Sequence, residues 1–116
     1  MADGWYTGNA HDDAPSHRGW LLGHFINPPE SLRNTGAVEV KWGVHPAGEA
    51  RPEWAKDART TLVLLVSGKF HVELPDAEVL LDRQGDYVVW GSGTEHAWRA
   101  KEDSIVVTVR WPSVVG

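Results

Sequence analysis

Apolar and polar residues alternate with a period of two along most of this chain, which is the signature of strands with one buried face. The clearest case is residues 37–44. Val38, Val40, Trp42 and Val44 share one face; Glu39, Lys41, Gly43 and His45 share the other. The apolar face is expected to be buried and the polar face to meet solvent. Residues 105–111 repeat the pattern, with Ile105, Val107, Val109 and Trp111 opposite Val106, Thr108 and Arg110. Residues 70–74 should turn Phe70, Val72 and Leu74 inward, leaving His71 and Glu73 to water with Lys69. Residues 60–66 are apolar almost without interruption, as in a strand covered on both faces. Further strands are expected at 19–26, 79–81, 86–90 and 96–100.

Turn chemistry separates these runs. Asn27-Pro28-Pro29 ends the first strand, because proline cannot continue a ladder. Ser67-Gly68-Lys69, Pro75-Asp76, Asp82-Arg83-Gln84-Gly85 and Gly91-Ser92-Gly93 supply the later turns. Residues 46–59, with Pro46, Gly48 and Pro52, read as a long connection of the kind that carries function. No segment sustains a helical period. Eight or nine short strands with turns between them predict an all-β sandwich or barrel. Residues 1–18 are polar and irregular and read as an N-terminal arm, with His11 and His17 solvated; residues 19–116 form a single β domain.

Length and charge narrow the class. At 116 residues the chain suits one domain with its own core. Its net charge of −5 and lack of a basic cluster argue against nucleic acid. The apolar run at 62–66 is too short to span a bilayer, and no secretory signal is seen at the N-terminus. With no cysteine there is neither disulfide nor thiolate chemistry, which agrees with a cytoplasmic setting. Seven tryptophans against two phenylalanines and two tyrosines make flat indole rings a main material of the core, and of any ligand site.

The stretch from Gly85 to His96 holds the candidate chemistry. A strand runs into a glycine turn, and His96 opens the next strand on the same face as Trp98. The stretch resembles the second conserved motif of the cupins: Gly85, Gly93 and His96 keep the glycine, glycine and histidine slots. Gly91 stands where proline is usual, and Ala100 where asparagine is usual. Anchoring the first cupin motif on Gly68 returns its opening glycine at Gly48. The two histidine slots and the glutamate slot then fall on Trp54, Lys56 and Thr61. The resemblance, which covers roughly residues 38–111, implies a double-stranded β-helix (jelly-roll) barrel with His96 pointing into its mouth.

It also implies that three of the four usual metal ligands are replaced. A lone imidazole does not hold a divalent transition ion against water, so no cofactor is expected. The alternative is a rebuilt metal set of His96, His45, Glu49 and Glu53. If the motif alignment holds, Trp54, Lys56, Thr61, His96 and Trp98 line one cavity. Indole walls suit a ring, Lys56 suits a carboxylate, phosphate or enolate, and His96 is a proton carrier near neutral pH. Three readings follow. The first is a protein that binds a small, anionic or ring-containing molecule, with metal-independent isomerase- or cyclase-type chemistry by His96 and Lys56. The second is a metal-dependent, oxygenase-like enzyme. The third is a non-catalytic sensor or partner-binding module. The bland alternatives are that Trp54 and Trp98 only fill the barrel and that Lys56 reaches out to water. Cupins often dimerise, and the apolar strand at 62–66 fits a covered outer face, so a homodimer is expected.

Overall fold

In the computed structural model, which describes residues 4–114, nine strands form two antiparallel sheets. They are β1 Trp20–Leu22, β2 Glu39–His45, β3 Ala50–Ala55, β4 Thr60–Ser67, β5 Phe70–Leu74, β6 Ala77–Leu81, β7 Tyr87–Trp90, β8 His96–Ala100 and β9 Ser104–Trp111. The five-stranded sheet has the order β1-β2-β9-β4-β7; the four-stranded sheet has the order β3-β8-β5-β6. The only helical segments among the described residues are α1, Ala10–Asp13, and a 3₁₀ turn, Ala14–His17. Asn9 caps α1 by accepting a hydrogen bond from the Asp12 amide. None of the described helices is long and apolar enough to cross a membrane.

The core lies between the sheets. Val63, Leu65 and Val106 from one side meet Phe70, Val72, Leu81 and Ala100 from the other. Phe70, Val72 and Ala100 lie on the faces that alternation gave to β5 and β8; β4, expected to be covered on both faces, buries Thr61, Val63 and Leu65 and leaves the residues between them half-buried.

Four expectations are corrected. The first strand is cut to three residues, and side chains take backbone carbonyls within it and beyond it. Arg33 Nε donates to the Leu21 carbonyl at 2.9 Å, and Asn34 Nδ2 donates to the carbonyls of His24 and Ile26. The connection at 46–59 is not all loop: β3 lies within it, paired along one side only, with β8. An edge position is where a strand tolerates Pro52, and the pairing is irregular between Arg51 and Ala55.

The third correction concerns β2 and β9, whose faces are reversed. Glu39 is fully buried, Gly43 is buried, and Lys41 and His45 also turn inward; Val44 is 52% exposed. On β9 it is Val106, Thr108 and Arg110 that face inward. The ladder explains this. Leu65, the most deeply buried residue of β4, pairs with Val106, and Val106 pairs with Gly43. Paired residues share a face, so the whole Glu39–Lys41–Gly43–His45 row follows Leu65 inward. The apolar row faces out. Leu22, Val40, Val109, Leu62 and Val89 lie in register across five strands, and Trp42, Val107, Leu64 and Tyr87 across four.

The fourth is His71. It points away from the core as alternation requires, yet it is buried, with Leu80 and Arg99 as its cross-strand neighbours. Long side chains on either side shelter an outward-facing ring.

Candidate functional site

A cavity of about 320 Å³ lies between the sheets. The inward row of the five-stranded sheet brings Lys41, Thr61, Thr108 and Arg110 to it, while the four-stranded sheet brings Arg51, His96 and Trp98. Trp20, His45, Lys56, Asp57 and Trp90 complete the polar and aromatic lining. Phe70, Val72 and Val106 form the part that meets the core.

His96 is an acid–base group held on both sides. It is almost buried, and its ring lies 4.5 Å from that of Trp90. Its Nδ1 is 3.2 Å from the Thr94 carbonyl. A carbonyl only accepts, so Nδ1 carries the proton in that contact and Nε2 keeps its lone pair. Burial pushes the His96 pKa down, against the pull of the Thr94 carbonyl; Arg51 and Arg110 add to the depression and Asp57 opposes it. The ring is therefore a neutral base at pH 7. Gly93 supplies the turn before it, at φ +79, and its amide donates to the Asp57 carbonyl at 2.8 Å.

His45 packs against Trp98 and Phe70, with ring centroids 4.6 and 5.4 Å away. Its Nδ1 is held by the Glu49 carboxylate. Lys41 has its ammonium 5.5 Å from the Trp20 ring, and Arg110 stacks on that ring at 4.4 Å. Burial first, then the charges of Arg110 and Arg51, hold the Lys41 pKa below its ordinary value, with Glu49 pulling the other way. Thr61 Oγ1 is buried and makes no hydrogen bond among the described residues. A hydroxyl left so is an open position for a polar ligand atom.

Glu39 anchors this wall from behind. It accepts from Arg110 Nε at 2.8 Å and from Ser113 Oγ at 2.9 Å. Arg59 Nε and His24 Nδ1 stand 3.5 and 3.6 Å away. With no exposure of its own, the carboxylate has these partners in place of solvent.

Of the residues singled out from sequence, His96, Lys56, Thr61 and Trp98 line the cavity, and so does His45. Trp54 does not: it is 47% exposed and absent from the lining, since its β3 neighbour Ala55 takes the inward position. Glu53 is exposed and also outside it. No three of His45, Glu49, Glu53 and His96 bring ligand atoms within 4.8 Å of one another. Sequence reasoning missed Trp20, Lys41, Arg51, Asp57 and Arg110 as cavity residues. The available signal was the alternation itself, which put Lys41 and Glu39 on the face of His45.

No family model and no curated protein matches the chain. Solved structures do. It superposes on KdgF from Halomonas sp. with a TM-score of 0.62 at 25% identity, over 67% of this chain and 71% of that one. A cupin superfamily protein from Desulfitobacterium hafniense gives 0.61 at 18% identity, over 68% and 71%. The protein is a cupin by fold. A conserved protein of unknown function from Streptococcus pyogenes gives 0.59 at 16% identity; the match spans 64% of this chain and 63% of that one.

Cupins often carry a metal, and the four positions that the motif resemblance would give it are Trp54, Lys56, Thr61 and His96, of which Trp54 lies outside the cavity. They do not suit one. An indole, an ammonium and a hydroxyl beside a single imidazole are a poor donor set for a divalent transition ion.

Proposed function

We propose that this cupin binds a small anionic, ring-containing molecule in the barrel and acts on it by metal-independent acid–base chemistry of the isomerase or cyclase type. One observation carries the reading: Lys41, Arg51, Lys56 and Arg110 converge on a single cavity whose other walls are Trp20, Trp90 and Trp98. Glu39 and Asp57 both engage Arg110, which leaves Lys41, Arg51 and Lys56 as further cations beside the indoles. Arginine and lysine hold a carboxylate or phosphate, and tryptophan faces hold a ring. The unbonded Thr61 hydroxyl adds an orienting contact. Neutral His96 then takes a proton from the bound molecule, while the cations stabilise the negative charge that develops.

Intrinsic tryptophan fluorescence tests it. Titrations with benzoate and glucuronate should give saturable changes that benzamide and glucose do not. Lys41→Met should weaken the anion response about tenfold or more, which is the loss of one charged contact. Equal responses to the acids and their neutral counterparts would refute the anionic reading.

We also propose a homodimer formed through the outer face of the five-stranded sheet. Its support is the apolar row that β2, β4, β7 and β9 present outward, with Tyr87 62% exposed. Sedimentation should give a dimer at micromolar concentration, and Leu64→Lys should convert it to a monomer. A wild-type monomer at that concentration would end this proposal.

A further inference from the structure

On the far side of the four-stranded sheet from the cavity, the β5–β6 hairpin gathers three groups that the barrel chemistry does not use. Its strands are joined by the two-residue turn Pro75-Asp76, between the paired Leu74 and Ala77. This register sets Glu73 directly opposite Glu78. Like charges opposite each other in a ladder repel, so the pair carries a cost that ordinary sheet packing does not return. His71 lies two residues before Glu73 on the same face, and the three side chains bring one ligand atom each to within 4.8 Å of one another.

The histidine is what separates this group from a chance meeting of surface carboxylates. Its side chain is only 7% exposed, yet its Nδ1 makes no hydrogen bond. Its Nε2 points at the Glu78 carboxylate from 3.6 Å, beyond hydrogen-bond reach. A nearly buried imidazole with neither nitrogen hydrogen-bonded is costly unless something else takes the lone pair.

We propose that His71, Glu73 and Glu78 form a binding site for one divalent transition ion of the zinc type, separate from the barrel cavity. An imidazole nitrogen and two carboxylate oxygens are a mixed donor set that such ions accept. The ion relieves the repulsion between Glu73 and Glu78 and takes the lone pair of Nε2, the nitrogen that faces Glu78, which leaves the proton on Nδ1. Three protein ligands leave a position for water. Arg99 Nη1, 3.9 Å from Glu73, partly neutralises the carboxylates now and competes with the ion. The guanidinium is half exposed. The ion pins β5 to β6, which gives the site a stabilising role whether or not the barrel holds a ligand.

Equilibrium dialysis of the full chain against ZnCl₂ tests this, with thermal unfolding as a second readout. The wild type should bind one zinc per chain in the micromolar range, and its Tm should rise with zinc. Glu78→Gln, at a side chain 69% exposed, keeps the fold and should weaken binding at least tenfold while abolishing the Tm rise. Arg99→Gln should tighten binding, since it removes the competing charge. His96→Ala should leave binding unchanged. Absence of zinc binding by the wild type at 100 µM free zinc (about a hundredfold above a 1 µM constant), or wild-type binding by Glu78→Gln, overturns the proposal. Loss through His96→Ala instead would assign the metal to the cavity and equally overturn it.

Discussion

Along β4, Thr61 and Leu65 face the same interior four residues apart, and what surrounds them differs in kind. Leu65 sits among Val106, Phe70, Val72 and Leu81. Thr61 has Arg110 and Trp90 as its cross-strand neighbours, and Glu39 lies beyond Arg110 in the same row. The apolar half of the interior is held by burial and close packing, which need no particular partner for any one side chain. The polar half is held by ion pairs and hydrogen bonds that depend on each named member. The barrel thus closes at one part of its interior and keeps a charged cavity at another, with β4 and β9 running through both.

Removing one member from each half should expose that difference. Glu39→Ala takes from Arg110 its shortest ion pair, leaving Asp57 at 3.8 Å, and leaves Ser113 and Arg59 each short of a contact. Breaking a buried pair from one side costs about 3–5 kcal/mol. Leu65→Ala should cost somewhat less, about 2–5 kcal/mol and centred near 3, because its neighbours relax partly into the space. The sharper contrast is in rescue. Glu39→Leu paired with Arg110→Met should regain most of the stability lost by Glu39→Ala, since apolar replacement of a buried ion pair is often neutral. Urea unfolding of the four proteins decides it. If the double variant is no more stable than Glu39→Ala, the polar wall is not a self-contained pair network.

The same contrast explains what was legible in the sequence. Turns, strand number and the β5 and β8 faces could be read because glycine, proline and alternation act locally. His96 was found because a glycine turn places it beside the cavity. The inward face of β2 was misassigned because alternation identifies two faces without saying which one is inside. Where a barrel keeps a polar cavity and offers an apolar outer surface, hydrophobicity points the wrong way. Only the pairing of Gly43 with Val106 and of Val106 with Leu65 settles the face, and pairing between strands distant in sequence is not a local property. The loss of Trp54 from the lining has a similar origin. Motif spacing counts residues, whereas the irregular pairing between Arg51 and Ala55 shifts which of them turns inward.

The smallest effect expected is one of pH, and it again divides the two halves. Burial holds the folded His96 pKa below its unfolded value of about 6.5. The unfolded chain therefore binds that proton more tightly than the folded one. Stability rises with pH wherever the unfolded state holds more protons. The His96 contribution is then fully present above pH of about 6.5 and is lost as pH falls through the folded pKa. The measurement is a difference between two proteins, so that contributions common to both cancel. Urea midpoints of wild type and His96→Gln should be compared at pH of about 7.5, 6 and 5. Glutamine carries no charge at any of these, so the variant should lose less stability on acidification than the wild type. Leu65→Ala supplies the opposite control. It removes nothing that titrates, so its deficit should stay constant across the series. A wild-type and a His96→Gln curve that fall in parallel would mean that the imidazolium is accommodated in the cavity after all, and the assignment of His96 as the neutral base would fall with it.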